Sequence, residues 1–529
     1  MQTLSKTLNQ QSRNHRNPCE WDTIVDMSQL KERYRRVVVG EVSCFDRVVI
    51  NGTLTEICHT AAMAQYLISR KERLLDMPRV FEPMKAEIVA NAKAVATAHG
   101  LKIEYIPRKS FRKEERIRKI LAERGDDPGL VHIFSATERL STFRAGARKD
   151  TGRPFIAPRQ GQCLHYYFYF IDPDFGLCYL RVPTWAPFRL QFYFNGHNWL
   201  ARRLSEEGID FTLIDNAFVD IADFDRAQEI ADEFPVRALH TRLDDLARLL
   251  CPVIRHFHSG YYWSLMQVEY ATDLIFTSVD ALAPLYDHLV RTAAHAVKVD
   301  QIATFLGRRL DARFTGEIGN RFHTRIEGTS IKHYMKRASI KMYDKLGRVL
   351  RIETTANDVT IFRHHRMVEH RDGTQSKKTA PVKKNIYSLG IMGKLMAAAN
   401  RRYLDFLAAL DDPSDGSRKL PKVANPVRRE GRSHRGFNLF QAEDLRVFLA
   451  IVRGEFAITG FRNRDLRRHL GKTGPQVSRI LKRLRLHGLI KIVGKSYKYY
   501  LTRLGKSVVS CALQLREHLV IPALAEPTC

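Results

Sequence analysis

Acidic residues nearly vanish from one long stretch in the last quarter of this sequence. Between Arg462 and Lys506 one acid, Asp465, stands among fourteen lysines and arginines. Paired cysteines are missing as well. Cys19, Cys44, Cys58, Cys163, Cys178, Cys251, Cys511 and Cys529 never fall in a CxxC spacing, which excludes a zinc ribbon or finger. No apolar run reaches bilayer length and no signal-peptide core is present. A membrane is therefore not an expected partner, and the expected setting is cytoplasmic, with free thiols. Neither a GxxxxGKS/T loop nor a GxGxxG loop occurs, which argues against an ATP-driven motor. No repeat of fixed period is found.

What is present is positive charge. The formal net charge is +29 and the isoelectric point about 9.9. A surplus that large repels itself unless a polyanion offsets it, and nucleic acid is the polyanion that suits a compact, one-signed field. The 529 residues and 44% hydrophobic content fit a soluble chain of about two to four domains.

The pattern along the chain predicts an α+β multidomain protein. Residues 1–28 are polar and aperiodic and read as a disordered tail. Residues 29–143 alternate strand-like and helical text and predict an α/β domain. Within them, Tyr34–Leu54 reads as strands with a turn at Asn51-Gly52. Residues 144–162 are rich in Gly, Arg and Pro and read as a loop. The rest of 144–255 predicts a β-hairpin turning at Asp172–Gly176, then a helix capped by Asn195, then further helices. Residues 256–410 predict a central α+β sheet domain: a long strand at Tyr261–Phe276, a helix, and a meander ending at Val349–Thr355. Residues 370–384 read as a basic loop and 411–440 as a linker.

Residues 441–529 form the last predicted domain. Leu445, Phe448, Leu449 and Val452 mark one helix face, Asn463–Leu470 a second helix, and Pro475–His487 a third, stopped by Gly488. Two short strands and a closing helix follow. This text resembles a winged helix-turn-helix of the MarR-like kind over roughly 441–520. The resemblance implies that the third helix enters the major groove. Gln476, Arg479, Lys482 and Arg483 would then meet bases and phosphates, Arg462 and Arg464 would lie beside them, and Lys495 and Lys498 would sit at the wing.

The stretch Ile331 to Asn357, IKHYMKRASIKMYDKLGRVLRIETTAN, resembles the replication-initiation proteins of filamentous phages and some plasmids. That resemblance implies a sheet with a metal-side carboxylate, Glu353, near a strand-cutting tyrosine. Tyr343 and Asp344 stand in the matching text and complete the catalytic candidates. Cleavage of this kind needs a divalent ion, Mg²⁺ or Mn²⁺. His256-Phe257-His258 would put two imidazoles on one strand face, a metal set with Glu353, while Pro252 and Gly260 beside the pair also suit a loop. Glu269, Glu327, Asp344 and Glu353 are acids in basic strand-like text. Cross-strand pairing with Arg325, Lys341 and Arg351 is the structural alternative. Asp46 lies where an RNase H-like transposase would place its first metal carboxylate. Tyr166–Phe170, Trp185 and Phe188–Phe194 could stack bases or simply fill a core. His197 and Asn198 read as a helix cap or a small polar site.

Three functions fit. The first is a DNA-binding protein of a mobile element or replicon, a metal-dependent replication initiator or transposase-like nuclease that nicks DNA. The second is a non-catalytic winged-helix transcriptional regulator, dimeric, with a large sensor region. The third is a single-stranded RNA binder.

Overall fold

The computed structural model describes residues 28–525, apart from 108–109, 309, 311–313, 326–327, 371, 412, 439, 454–455, 457–459 and 494–496. It forms two compact units, one of Met1–Asp287 with Lys298–Asp405, the other of His288–Val297 with Phe406–Cys529. The predicted tail, 1–28, lies outside the described residues but for Ser28, which caps a short helix.

A mixed sheet of eleven strands frames the first unit. In chain order these are β1 (Val38–Leu54), β2 (Ile103–Tyr105), β3 (Gly129–Ala147), β4 (Pro154–Asp172), β5 (Gly176–Pro183) and β6 (Leu190–Asn195). A separate hairpin of β7 (Phe211–Ile214) and β8 (Ala217–Ile221) interrupts them. Then come β9 (Tyr261–Phe276), β10 (Ile318–Arg325), β11 (Gly328–Met335), β12 (Ala338–Lys345) and β13 (Val349–Ala356). The order across the sheet is β10-β11-β12-β13-β9-β1-β6-β5-β4-β3-β2. Among the described residues, only β2 and β3 pair in parallel.

The fold is thus mixed α+β, as expected in class, with a different layout. The predicted boundary at 143/144 falls inside β3, and the segment after 255 supplies β9, the neighbour of β1. The three front segments, 29–143, 144–255 and 256–410, share one sheet. Asn51-Gly52 is no turn. β1 runs straight through it, because Gly52 leaves room for the Trp263 ring, which a Cβ would meet at 2.6 Å.

The predicted loop 144–162 is a β-ribbon, paired down to Ala147↔Pro154. Pro154 and Pro158 are tolerated there because a two-stranded ribbon leaves one edge of each strand without a partner. The predicted loop 370–384 is largely a second ribbon, Arg363–Glu369 against Gln375–Pro381. The predicted linker 411–440 holds a helix, Pro413–Ala424, and a short hairpin, Val427–Arg429 with Arg432–His434.

One face of the central strands is covered by helices. Phe45 meets Phe234 edge-on, and the Asn400 amide donates to the Tyr270 carbonyl and the Thr272 hydroxyl. The other face carries the polar residues described below. The Gly196–Glu206 helix starts against it, capped by Asn195, whose Oδ1 accepts from His197 N at 2.8 Å.

The second unit has its own core. The helices Ala442–Ile451, Asn463–Leu470, Gly474–Leu486 and Arg503–Leu515 surround Phe448, Leu466, Val477, Leu481, Leu484 and Val509, beside a hairpin of Ile490–Ile492 and Tyr499–Leu501. The 3.6-residue spacing puts Val477, Ile480, Leu481 and Leu484 inward on the third helix; Val477, Leu481 and Leu484 are buried and Ile480 partly so. Of the predicted face of the first helix, Phe448 is buried but Leu449 and Val452 are exposed.

Gly196 fixes how closely its helix seats on β1. A Cβ there would lie 2.1 Å from the Phe45 carbonyl oxygen, so Gly196→Ala must push the helix off the strand. Overpacking of this sort costs about 1–3 kcal/mol. Denaturant unfolding of the variant should show that loss, whereas Gly390→Ala, where a Cβ would meet nothing within 4 Å and the backbone is not left-handed, should cost less.

Candidate metal centre

The carboxylates of Asp46, Glu269 and Glu353 come from three neighbouring strands, β1, β9 and β13. One oxygen of each lies within 4.8 Å of the others. Strand parity explains two of them. Glu353 pairs across from Ala271 and Thr355 from Glu269, so Glu269 and Glu353 share a face. Asp46 reaches that face through a β-bulge. The register runs Phe45↔Tyr270 and then Val48↔Val268, so Asp46 and Arg47 together oppose Glu269.

Asp46 is 5% exposed and Glu353 6%, with Glu269 half-buried. Beside them Arg351, fully buried, grips Asp273 with Nε to Oδ1 and Nη2 to Oδ2, both at 2.6 Å. The same Nη2 donates to the Asn216 carbonyl at 2.6 Å and approaches His197 Nε2 at 3.0 Å. Its Nη1 lies 3.6 Å from Asp46 Oδ2. Asp46 Oδ1 accepts from Asn195 Nδ2 and Asn216 Nδ2, each at 2.8 Å, and lies 3.5 Å from His197 Nδ1.

Burial alone would raise the Asp46 carboxyl, but the His197 hydrogen bond and charge, with Arg351 and Asn216, hold it well below the usual carboxylate range. Burial works against a charged His197, yet its acidic neighbours, Asp273 and Asp46 among them, hold its imidazole well above the ordinary value. Glu269 is raised too. Burial, then the charges of Glu353 and Asp46, push it up to about 7. Gln267 Nε2 donates to its Oε1 at 2.6 Å. Glu353 accepts from the Tyr343 hydroxyl at 2.7 Å and lies 3.8 Å from Lys341 Nζ. Burial and the Glu353 carboxylate push the Tyr343 phenol far up.

Four carboxylates, Asp46, Asp273, Glu269 and Glu353, therefore meet three buried or half-buried cations, Arg351, His197 and Lys341. Arg351 and His197 lie with Asp273 and Asp46, which leaves Glu269 and Glu353 to share one lysine. At an effective dielectric near 20, two unit charges about 5 Å apart repel by roughly 3 kcal/mol. A proton on Glu269 relieves this, and so would a divalent cation. Three hard oxygen donors suit Mg²⁺ or Mn²⁺, which take carboxylates and keep waters.

The candidates named from sequence separate cleanly. Asp46, Glu269, Glu353 and Tyr343 meet at this place. Asp344 does not: it alternates with Tyr343 along β12 and so faces the other side of the sheet. His256 and His258 do not either. Pro252–His256 is a 3-10 turn, not a strand, and His256 Nε2 binds Glu87 Oε2 at 2.8 Å. Tyr261, where β9 begins, is ten residues from Ala271, the partner of Glu353, on the order of 30 Å along the strand. The metal set of Glu353 with His256 and His258 is thus not assembled. Glu327 lies outside the described residues. Of the cross-strand pairs expected, one is seen, Lys341 opposite Glu353; Arg351 instead binds Asp273, an acid not singled out from sequence.

In the second unit Arg464, Arg479 and Lys482 are exposed, and Arg462 and Lys498 half-buried. Lys495 lies outside the described residues. Gln476 closes the start of its helix, accepting from Thr473 N at 2.9 Å. Arg483 turns inward. It holds Asp444 at 2.7 and 2.8 Å, donates to the carbonyls of Arg435 and Gly436, and stacks 3.8 Å from the Phe437 ring centroid. It is a clamp within the core rather than a groove residue, because its guanidinium is spent on these partners.

Asn195, Asn216, Asp273 and Arg47 were missed from sequence. One signal was available: Glu269 and Asp273 are four apart on a strand, hence on one face, in otherwise apolar text. No family model, curated protein or solved structure matches the chain.

The Glu269 shift sets a pH dependence. Its carboxyl binds a proton more tightly folded, at about 7, than at its ordinary value of 4.5. Its contribution to stability is therefore present at low pH and lost as pH rises through 7. In metal-free buffer, Glu269→Gln should gain stability over the parent as pH goes from 5 to 8. Calorimetric affinity of the parent for Mn²⁺ should rise about tenfold per pH unit below 7 and level off above it.

Proposed function

We propose that the chain is a metal-dependent DNA strand-nicking protein of a mobile element or replicon. The observation that carries this reading is the set of three carboxylates converging from three adjacent strands, in a chain of net charge +29. A divalent ion held by Asp46, Glu269 and Glu353 would neutralise a scissile phosphate and activate the attacking oxygen. The residues around it have roles of their own. Lys341 offers a cation to the phosphate. Exposed Arg47 stands at the rim beside Asp46. His197, Asn195 and Asn216 orient Asp46 from behind, as supporting groups do in metal sites.

The second unit supplies duplex binding in this reading. Its helix order, short hairpin and exposed basic third helix support a winged helix-turn-helix, with Arg479 and Lys482 reaching phosphates or bases. The β3–β4 ribbon adds a second basic surface. Arg139, Arg144, Arg148, Lys149, Arg153 and Arg159 are exposed there, against one exposed acid, Asp150.

Supercoiled plasmid incubated with the protein and Mg²⁺ or Mn²⁺ should yield open circles. Asp46→Asn or Glu353→Gln should lower the rate at least 100-fold, with plasmid binding retained. Intact plasmid under every metal condition would favour the transcriptional-regulator alternative.

Duplex binding should weaken in Arg479→Ala/Lys482→Ala. Its log–log salt slope should drop by about one for every phosphate that the two substitutions release, as filter binding over a salt series would show. An unchanged slope would remove these residues from the interface.

A further inference from the structure

A cleft of about 770 Å³ opens on the sheet face that carries the carboxylates. That size is in the ordinary range for organic ligands. Tyr169, Tyr179 and Tyr193 line it, from β4, β5 and β6. They are directly opposite one another in register, Tyr169↔Tyr179 and Tyr179↔Tyr193. The Tyr179 and Tyr193 rings stack at 5.1 Å and 12°, and the Tyr169 and Tyr179 rings lie 5.2 Å apart. The Arg47 guanidinium is 5.5 Å from the Tyr193 ring centroid.

The ladder runs across the strands toward the carboxylates. β6 adjoins β1, and β1 adjoins β9, so Tyr193 and Glu269 are two strand spacings apart, roughly 10 Å. Asn195 and Asn216 belong to both places: they line the cleft and donate to Asp46. The cleft is close to neutral as a whole. Arg47, Arg118 and Arg202 meet Glu114, Asp126, Glu206 and Asp215, and Lys345 binds Asp215 at 3.1 Å. A balanced, tyrosine-floored cleft suits an uncharged aromatic group better than a phosphate.

We propose that this cleft holds a base of single-stranded DNA, stacked on the Tyr193 face that the Arg47 guanidinium now covers, with the exposed Arg47 side chain swung outward to cap the base, a few nucleotides from the phosphate placed at the carboxylates. The proposal rests on the strand-nicking reading for its substrate. It adds that the strand is unpaired there, since a duplex cannot present a base face to a sheet. Aromatic platforms are how single strands are held without sequence readout.

The test is binding of a short oligodeoxythymidine carrying one 2-aminopurine, by full-length protein in EDTA. The fluorophore should be quenched on binding. Tyr193→Leu and Tyr179→Leu should each weaken binding about tenfold and relieve the quenching, while Tyr193→Phe keeps both. Arg47→Ala, at an exposed position that cannot unfold the sheet, should weaken binding several-fold. The proposal falls if the parent binds without quenching, or if the Leu and Arg47 variants match it. Quenching without any metal-dependent nicking would keep the cleft and sink the nuclease, and nicking without quenching would do the reverse.

Discussion

Four carboxylates are packed into the middle of a sheet with one fully buried arginine among them. Arg351 satisfies Asp273 by a two-pronged ion pair, and His197 stands between Asp273 and Asp46. Glu269 and Glu353 are left with Lys341. Among the buried and half-buried groups one negative charge is therefore unmatched when all four acids ionise, exposed Arg47 being the further cation near Glu269, and each close pair of like charges costs roughly 3 kcal/mol. That is a large fraction of the whole stability of a typical domain. A proton on Glu269, whose carboxyl is raised, relieves this repulsion, and a cation joining the acids would relieve it in the same way. A protein built only for stability would replace such a group with apolar side chains.

Much of the surrounding architecture follows from that constraint. The bulge in β1 turns Asp46 onto the shared face. Gly196 lets a helix start within touching distance of Phe45, and the cap of that helix, Asn195, uses its amide on Asp46. The β7–β8 hairpin brings Asn216, which gives its amide to Asp46 and its carbonyl to Arg351. Both amides constrain Oδ1 of Asp46, so the side chain is oriented before any ligand arrives. Preorganisation of this kind is what a metal ligand needs and what a surface acid lacks.

The legible part of the sequence was local. Strands and helices with strong periodicity appear where the pattern put them: Tyr261–Phe276 and Asn463–Leu470 match their predicted limits. Polar ribbons escaped, because Gly, Pro and Arg at 144–162 and 370–384 mimic loop composition while forming paired strands. The site was half legible. Asp46, Glu269, Glu353 and Tyr343 each drew notice as chemistry in strand-like text. Their convergence did not, since it depends on β9 lying between β1 and β13 and on one extra residue in β1. Neither long-range strand order nor a bulge leaves a mark in residue types. Arg483 was misjudged for a related reason: helix periodicity shows which way a side chain leaves the axis, but not that Asp444 and Phe437 wait beside it.

In the proposed nicking reaction, the position of Tyr343 bears on which oxygen would attack the phosphate. Its hydroxyl donates to Glu353, and Lys341 Nζ sits 4.0 Å from the ring centroid. The cation favours a phenolate, while burial and the carboxylate oppose it more strongly. If Glu353 serves a metal, it cannot also take up the phenolic proton, so the tyrosine keeps that proton and its hydrogen bond. The arrangement then favours water as the attacking group, with Tyr343 fixing the Glu353 rotamer. A covalent tyrosyl link would require Glu353 to accept that proton and leave the ion, returning two close carboxylates, Asp46 and Glu269, to sole charge of it. For the proposed nicking activity, the electrostatics of this sheet face would favour hydrolysis and leave the phenol a positioning role.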